Sequence, residues 1–212
     1  MESINSIRAK SNVLHLGLDL NRFDVFQNTK KENVATLLWN HRWEYDKNPE
    51  LFFETIFKLK NDGLHFKVIV LGESYKKSPP IFQKAKEVLH DEIIHFGYAK
   101  DWNTYARLLW KADIIPISSN QDFFGGSAVE AIYCKCFPIL PNRLAYPEHI
   151  PTNFHLENLF STPEEFFQKI KNAIINLHKI REVNYFRNFV GKYDWRNLVT
   201  KYDNALERVC QQ

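Results

Sequence analysis

The chain has 212 residues, 44% hydrophobic and 25% charged, with a formal net charge of +3. This composition excludes a disordered chain, provides for one substantial core, and is too weakly basic to mark a nucleic-acid binder on charge alone. No stretch approaches the ~20 apolar residues of a membrane span, and Met1-Glu2-Ser3-Ile4-Asn5 lacks the apolar centre of a signal peptide.

Residues 1–12 are polar and read as a loose N-terminal segment, and residues 13–212 as one domain. Val13–Leu18 suits a short strand or an entering loop. Val34–Trp39 is a continuous apolar run, the mark of a strand buried on both faces. Asn48-Pro49 opens a helix, with Asn48 as cap and Phe52, Phe53, Ile56 and Leu59 inward, and Asn61-Asp62-Gly63 ends it. Phe66–Leu71 is the second strand. Ser78-Pro79-Pro80 starts a helix with Ile81, Ala85 and Val88 inward, and Ile93–Phe96 is a short third strand. Asp101 caps a helix bearing Tyr105, Leu108 and Leu109. Ile114–Ile117 is a fourth strand, which Pro116 should bulge or end early because proline cannot donate to a ladder. A helix through Glu130 and a fifth strand, Phe137–Leu140, follow.

Cys134 and Cys136 have no His or further Cys at ligand spacing and read as small buried residues. With Cys210 they form no even disulfide framework, which points to a reducing, cytoplasmic setting. Ser161-Thr162-Pro163-Glu164-Glu165 is a strong helix start, with Phe166, Phe167, Ile170, Ile174 and Leu177 inward. Asp194-Trp195 opens a last helix with Leu198, Val199, Tyr202 and Leu206 on one face. Alternating strands and helices with short connections predict an α/β fold, a Rossmann-like parallel sheet with helices on both faces. The loops after the strands, holding Arg42, Gly72, Gly97, Ser118 and Gly125, then gather on one edge, where ligands bind.

Two segments aimed at that edge have chemistry in them. In Asp122-Phe123-Phe124-Gly125-Gly126-Ser127-Ala128-Val129-Glu130, two carboxylates stand eight positions apart around a glycine pair at a helix start. Such a start offers unpaired N–H groups and a positive dipole end to a phosphate, Glu130 can reach a ribose diol, and Asp122 can reach sugar hydroxyls. In His41-Arg42-Trp43-Glu44-Tyr45-Asp46-Lys47, a guanidinium and an ammonium five positions apart can neutralise a diphosphate leaving group without a metal. Gly97-Tyr98 can hold a nucleobase, Ser118 can donate to a ligand, and His41 can meet phosphate or sugar. Each has an ordinary structural reading beside it: solvated charge, turn, satisfied loop. His149, beside Glu148, reads as an exposed loop residue.

The spacing Asp122-x7-Glu130 with Phe124-Gly125 between resembles the acidic E-x7-E motif of retaining glycosyltransferases built from two Rossmann-like domains, the GT-B fold. Arg42 and Lys47 match that group's diphosphate-binding pair, Gly17-Leu18-Asp19 its entry into the second domain, and Ala112–Ser118 its strand before the acidic motif. Trp39–Glu50, Val70–Glu73, Phe123–Cys134 and Tyr146-Pro147-Glu148 resemble the tRNA-queuosine α-mannosyltransferase family over about residues 13–205. The resemblance implies a GDP-mannose donor, a queuosine-bearing tRNA acceptor, retention at the anomeric carbon and no metal cofactor. It implies that Arg42 and Lys47 hold the diphosphate with the amides near Gly125, Gly126 and Ser127, that Glu130 binds ribose, and that Asp122 binds mannose hydroxyls. Two departures stand out. Asp122 is one methylene shorter than the usual Glu, and the acceptor domain is absent, so the chain reads as the C-terminal donor half, with tRNA met through the missing N-terminal domain. The alternatives are a non-catalytic nucleotide-sugar-binding module, an isoform lacking the acceptor domain, or a domain using another donor such as UDP-glucose.

Overall fold

The computed structural model describes residues 3–73 and 78–210. Helix α1 (Ile4–Ala9), capped by the Ser3 side chain, lies in the segment expected to be loose and buries no residue. Strands and helices then alternate: β1 (Ala35–Asn40), α2 (Pro49–Asn61), β2 (Phe66–Leu71), α3 (Ile81–Val88), β3 (Ile93–Gly97), α4 (Trp102–Lys111), β4 (Ile114–Pro116), α5 (Gly126–Tyr133) and β5 (Phe137–Pro141). Helix α6 (His155–Asn158), strand β6 (Leu159–Phe160) and helices α7 (Pro163–Ile175), α8 (Leu177–Glu182), α9 (Tyr185–Val190) and α10 (Trp195–Cys210) complete the order. The sheet runs β3-β2-β1-β4-β5-β6 with every pairing parallel, the doubly wound Rossmann order.

Side chains alternate across the sheet as strand geometry requires. Leu37, Trp39, Val68 and Val70 face one cluster with Phe52, Phe53, Phe82 and Phe166, while Leu38, Ile69 and Leu71 face the other with Leu109, Ala128 and Val129. The fourth strand ends at Pro116, as proline's missing donor predicts, and the next amide, Ile117, still donates to Ile139 O at 2.9 Å. Cys134 and Cys136 are buried thiols and Cys210 is exposed.

Four expectations need correction. Val88 is exposed, because α3 buries Phe82 and Ala85 and leads into buried Leu89, a stripe rotated from the expected one. The helix beginning at Pro163 stops at Ile175, and Leu177 opens α8. On α10, Leu198 is buried and the Tyr202 hydroxyl donates to His15 O at 2.8 Å, but Val199 and Leu206 are exposed. His149 is fully buried.

Val13–Leu18 is an entering loop whose last residue pairs with the start of α10. Leu18 N donates to Tyr193 O at 2.9 Å, and Trp195 N donates to Leu18 O at 3.0 Å. The chain therefore enters and leaves the sheet domain at one crossing.

Candidate functional site

Strands β1 and β4 are neighbours with opposite onward directions, and their carboxyl ends open the crevice where doubly wound sheets bind ligands. The loops after them, 41–48 and 118–125, are laced together. Ser118 Oγ donates to Lys47 O at 2.9 Å, Asn120 N to Asp46 O at 2.8 Å, and Lys47 Nζ to Gln121 O at 2.8 Å. The first loop is anchored by Trp43, stacked on Phe82 with centroids 4.3 Å apart and planes 7° from parallel. It hands over to α2 through Asn48, whose side chain accepts from Leu51 N as the predicted cap.

A cleft of about 680 Å³ opens above these loops. Asn40, His41, Arg42 and Lys47 line it from β1 and its loop, Leu71 to Glu73 from the end of β2, Tyr98 to Trp102 and Tyr105 from beyond β3, and Asp122 and Ser127 from beyond β4. The two predicted segments do converge. Arg42 is 57% exposed at the side chain and paired with Glu44 at 3.2 Å, an arrangement that leaves its fork free to turn toward an anion. Lys47 is buried, 3.1 Å from Asp46 Oδ2 and 3.4 Å from Asp122 Oδ2.

Glu130 does not itself line the cleft; it is joined to an unforeseen neighbour, Tyr105, which does. The Tyr105 hydroxyl donates to Glu130 Oε2 at 2.6 Å and accepts from Asn40 Nδ2 at 2.9 Å. Burial pushes the Glu130 carboxyl up, while the Tyr105 hydroxyl and the Arg22 guanidinium pull it back. Arg22 lies over the Trp102 ring, 3.1 Å from its centroid. Asn40 could have been found from sequence as the polar residue closing an apolar strand, whereas Tyr105 gives no signal beyond its helical register.

Other predicted residues take supporting positions. Gly97 ends β3 and leads into Tyr98, which is 70% exposed at the cleft wall. Ser118 is buried and spends its hydroxyl on Lys47 O rather than facing the cleft. The Phe124 ring turns away and packs edge-on against Tyr193 and His149. Gly125, at φ +78°, is the residue before α5, and its amide is taken by Asp122 Oδ1 at 2.8 Å. Gly126 and Ser127 supply the first-turn N–H groups that the helix itself does not use. Burial raises the Asp122 carboxyl, but the Lys47 ammonium and the amides of Gly125 and Phe124 outweigh it, and the net shift is downward.

Two imidazoles are buried here. His149 meets Phe124 O through Nε2 at 2.5 Å, and a carbonyl only accepts, so Nε2 carries the proton; Nδ1 lies 3.1 Å from the Tyr193 hydroxyl, which donates to Glu148 O at 3.2 Å. Burial lowers His149 to about 4. Burial, then the Lys47 ammonium, lowers His41 to about 4, opposed by Asp122 and Asp46. Both are thus depressed in the folded state. The stability this gives is complete above the unfolded value near 6.5 and drains as pH falls from 6.5 to 4, up to about 3 kcal/mol per histidine. Urea unfolding at pH 7.5, 5.5 and 4.5 should show that decline, and His149→Gln, less stable at pH 7.5, should show a shallower one. An unchanged slope would assign the acid sensitivity elsewhere.

Among the described residues, no group of three or more His, Cys, Asp or Glu side chains gathers so as to hold a metal ion. None of the described helices is long and apolar enough to cross a membrane.

A doubly wound sheet gathers two cations and a helix start around one crevice, and the chain belongs to the family described as glycosyl transferases group 1, whose model matches residues 21–184. It is 32% identical over 207 residues to the tRNA-queuosine alpha-mannosyltransferase of Drosophila melanogaster, covering 92% of this chain and 54% of that protein. The chain therefore spans about half the length of this curated relative. Among solved structures it resembles a glycosyltransferase from Rickettsia africae ESF-5, at TM-score 0.77 and 21% identity over 96% of this chain and 58% of that one. It also resembles Anabaena Alr3699/HepE, solved in complex with UDP and glucose, at TM-score 0.69 and 15% identity over 97% and 60%. These likenesses agree with the predicted Rossmann-like fold.

Proposed function

We propose that this chain is the donor-binding half of a retaining mannosyltransferase that takes mannose from GDP-mannose and delivers it to queuosine in tRNA. The observation behind this reading is the convergence on one crevice of Arg42, Lys47, Ser127 at the α5 start and Tyr105, whose hydroxyl donates to Glu130 just behind. The choice of sugar and acceptor leans on the Drosophila relative and on the His-Arg-Trp-Glu and Tyr-Pro-Glu segments. Arg42 and Lys47 take up the charge that develops on the diphosphate as the bond to the anomeric carbon breaks, the Gly126 and Ser127 amides add to it, and Glu130 grips the ribose. No metal is needed for that charge balance. Tyr98 and Trp102 flank the base. The acceptor is brought in from outside this half, in the cytoplasm, and catalysis is chiefly leaving-group stabilisation and positioning. Alone, the chain should bind the donor weakly and turn over little.

Calorimetric titration tests this. GDP-mannose and GDP should both bind, ahead of UDP-glucose, and Arg42→Ala should weaken both by on the order of 10- to 100-fold, as loss of a charged hydrogen bond predicts. Glu130→Gln should weaken GDP but not its 2′,3′-dideoxy form. Absence of heat with any guanine nucleotide would overturn the assignment.

A further inference from the structure

The first acidic position holds an aspartate, and its oxygens are already engaged. Oδ1 accepts from Gly125 N at 2.8 Å and Phe124 N at 3.3 Å. Oδ2 lies 3.4 Å from Lys47 Nζ and accepts from the Tyr146 hydroxyl at 3.4 Å. An ionised carboxylate has about four acceptor sites, and these four contacts match them. The carboxylate closes a turn over the start of α5 and bridges it to the Lys47 loop, and Tyr146 beneath it is buried. A sugar hydroxyl would have to break one of those contacts to be recognised by Asp122.

His41 is in the opposite situation. Its residue is 6% exposed, it lines the cleft beside Lys47 and Asp122, and its Nε2 has no hydrogen-bond partner among the described residues. Its backbone is held on both sides. Trp39 Nε1 donates to His41 O at 3.1 Å, and Gly72 Cα packs against that same carbonyl. The imidazole sits edge-on to the Trp39 ring, with centroids 5.2 Å apart and planes at 78°. A buried polar atom left without a partner is costly, and in a side chain that lines a cleft it can gain one when a ligand arrives. Its low pKa leaves it neutral at physiological pH, with one donor and one acceptor, which suits a hydroxyl better than a phosphate charge.

Resting on the donor reading above, we infer that recognition of the transferred sugar has moved from the acidic position to His41, with Asp122 a positioning residue that fixes the loop before α5. The two residues should then separate in binding. His41→Phe should weaken GDP-mannose about tenfold, the value of one good hydrogen bond, while GDP stays within about twofold of wild type. His41→Gln should recover part of the loss. Asp122→Ala should weaken GDP and GDP-mannose alike, because it loosens the helix start both use. A GDP-deoxymannose lacking the contacted hydroxyl should bind wild type about tenfold worse than GDP-mannose but bind His41→Phe no worse. If His41→Phe does not fold, as judged by its thermal transition, the deoxy series on wild type and His41→Gln gives the same answer. Wild type binding GDP and GDP-mannose, with His41 variants weakening neither or both equally, would overturn this inference and leave the donor reading standing. So would Asp122→Ala weakening GDP-mannose alone. Wild type binding neither ligand would remove the donor reading, and this inference with it.

Discussion

Gly72→Ala should destabilise the protein by roughly 3 kcal/mol, a fall of about 10 °C in the melting midpoint for a chain of this size. Two effects add. Gly72 has φ +134°, which side-chain-bearing residues avoid, and a Cβ built there would overlap the carbonyl oxygen of His41 and approach its carbonyl carbon at 2.9 Å. The loop after β1 and the end of β2 cannot both keep their positions, so nucleotide affinity should fall with stability. Gly63→Ala provides the control. Its φ is +79° but its Cβ would meet nothing within 4 Å, so it bears only the backbone term of about 1–2 kcal/mol. Equal melting midpoints for the two variants would show that the His41 contact yields freely.

Arg181→Ala should cost about 3 kcal/mol in urea unfolding, because it strands a buried carboxylate. Asp113 is 2% exposed. Arg181 Nε and Nη2 each donate to it at 2.8 Å, Thr36 N donates at 3.0 Å, and Lys31 Nζ lies 3.2 Å away. The guanidinium also donates to Glu32 O at 2.8 Å, so one side chain of α8 ties together the approach to β1 and the start of β4. Arg181→Lys should recover little, since a single ammonium cannot reproduce the fork. Asp113→Leu combined with Arg181→Met should be less destabilised than the sum of the single changes. Strict additivity would mean that Lys31 alone already compensates the charge.

The apolar runs of β1 and β2 announced themselves because a strand covered on both faces leaves no polar alternation to misread. Pro116 predicted the end of β4 for a chemical reason, a missing donor, and such reasons survive folding. The two-residue β6 is too short to have a period. The stripe on α3 differs by one register step because Phe82 competes with Ile81, and the choice is made by Trp39, Trp43 and Phe53 on the same face of the sheet. The site divided in the same way. Arg42, Lys47 and the α5 start were legible from residue type and from the rule that strand-end loops share an edge. Burial of His149 was not, since its partners Phe124 and Tyr193 lie 25 and 44 residues away. The engagement of Asp122 depends on the turn it closes and on Tyr146, 24 residues on.

Tyr193 belongs to two assemblies at once. Its backbone carbonyl receives Leu18 N at the crossing where the chain enters and leaves, while its ring and hydroxyl brace Phe124 and His149 behind the Asp122 turn. The entering loop and the turn in front of α5 therefore lean on one residue, so that the point where the chain joins the sheet domain and the start of α5 share a single aromatic support.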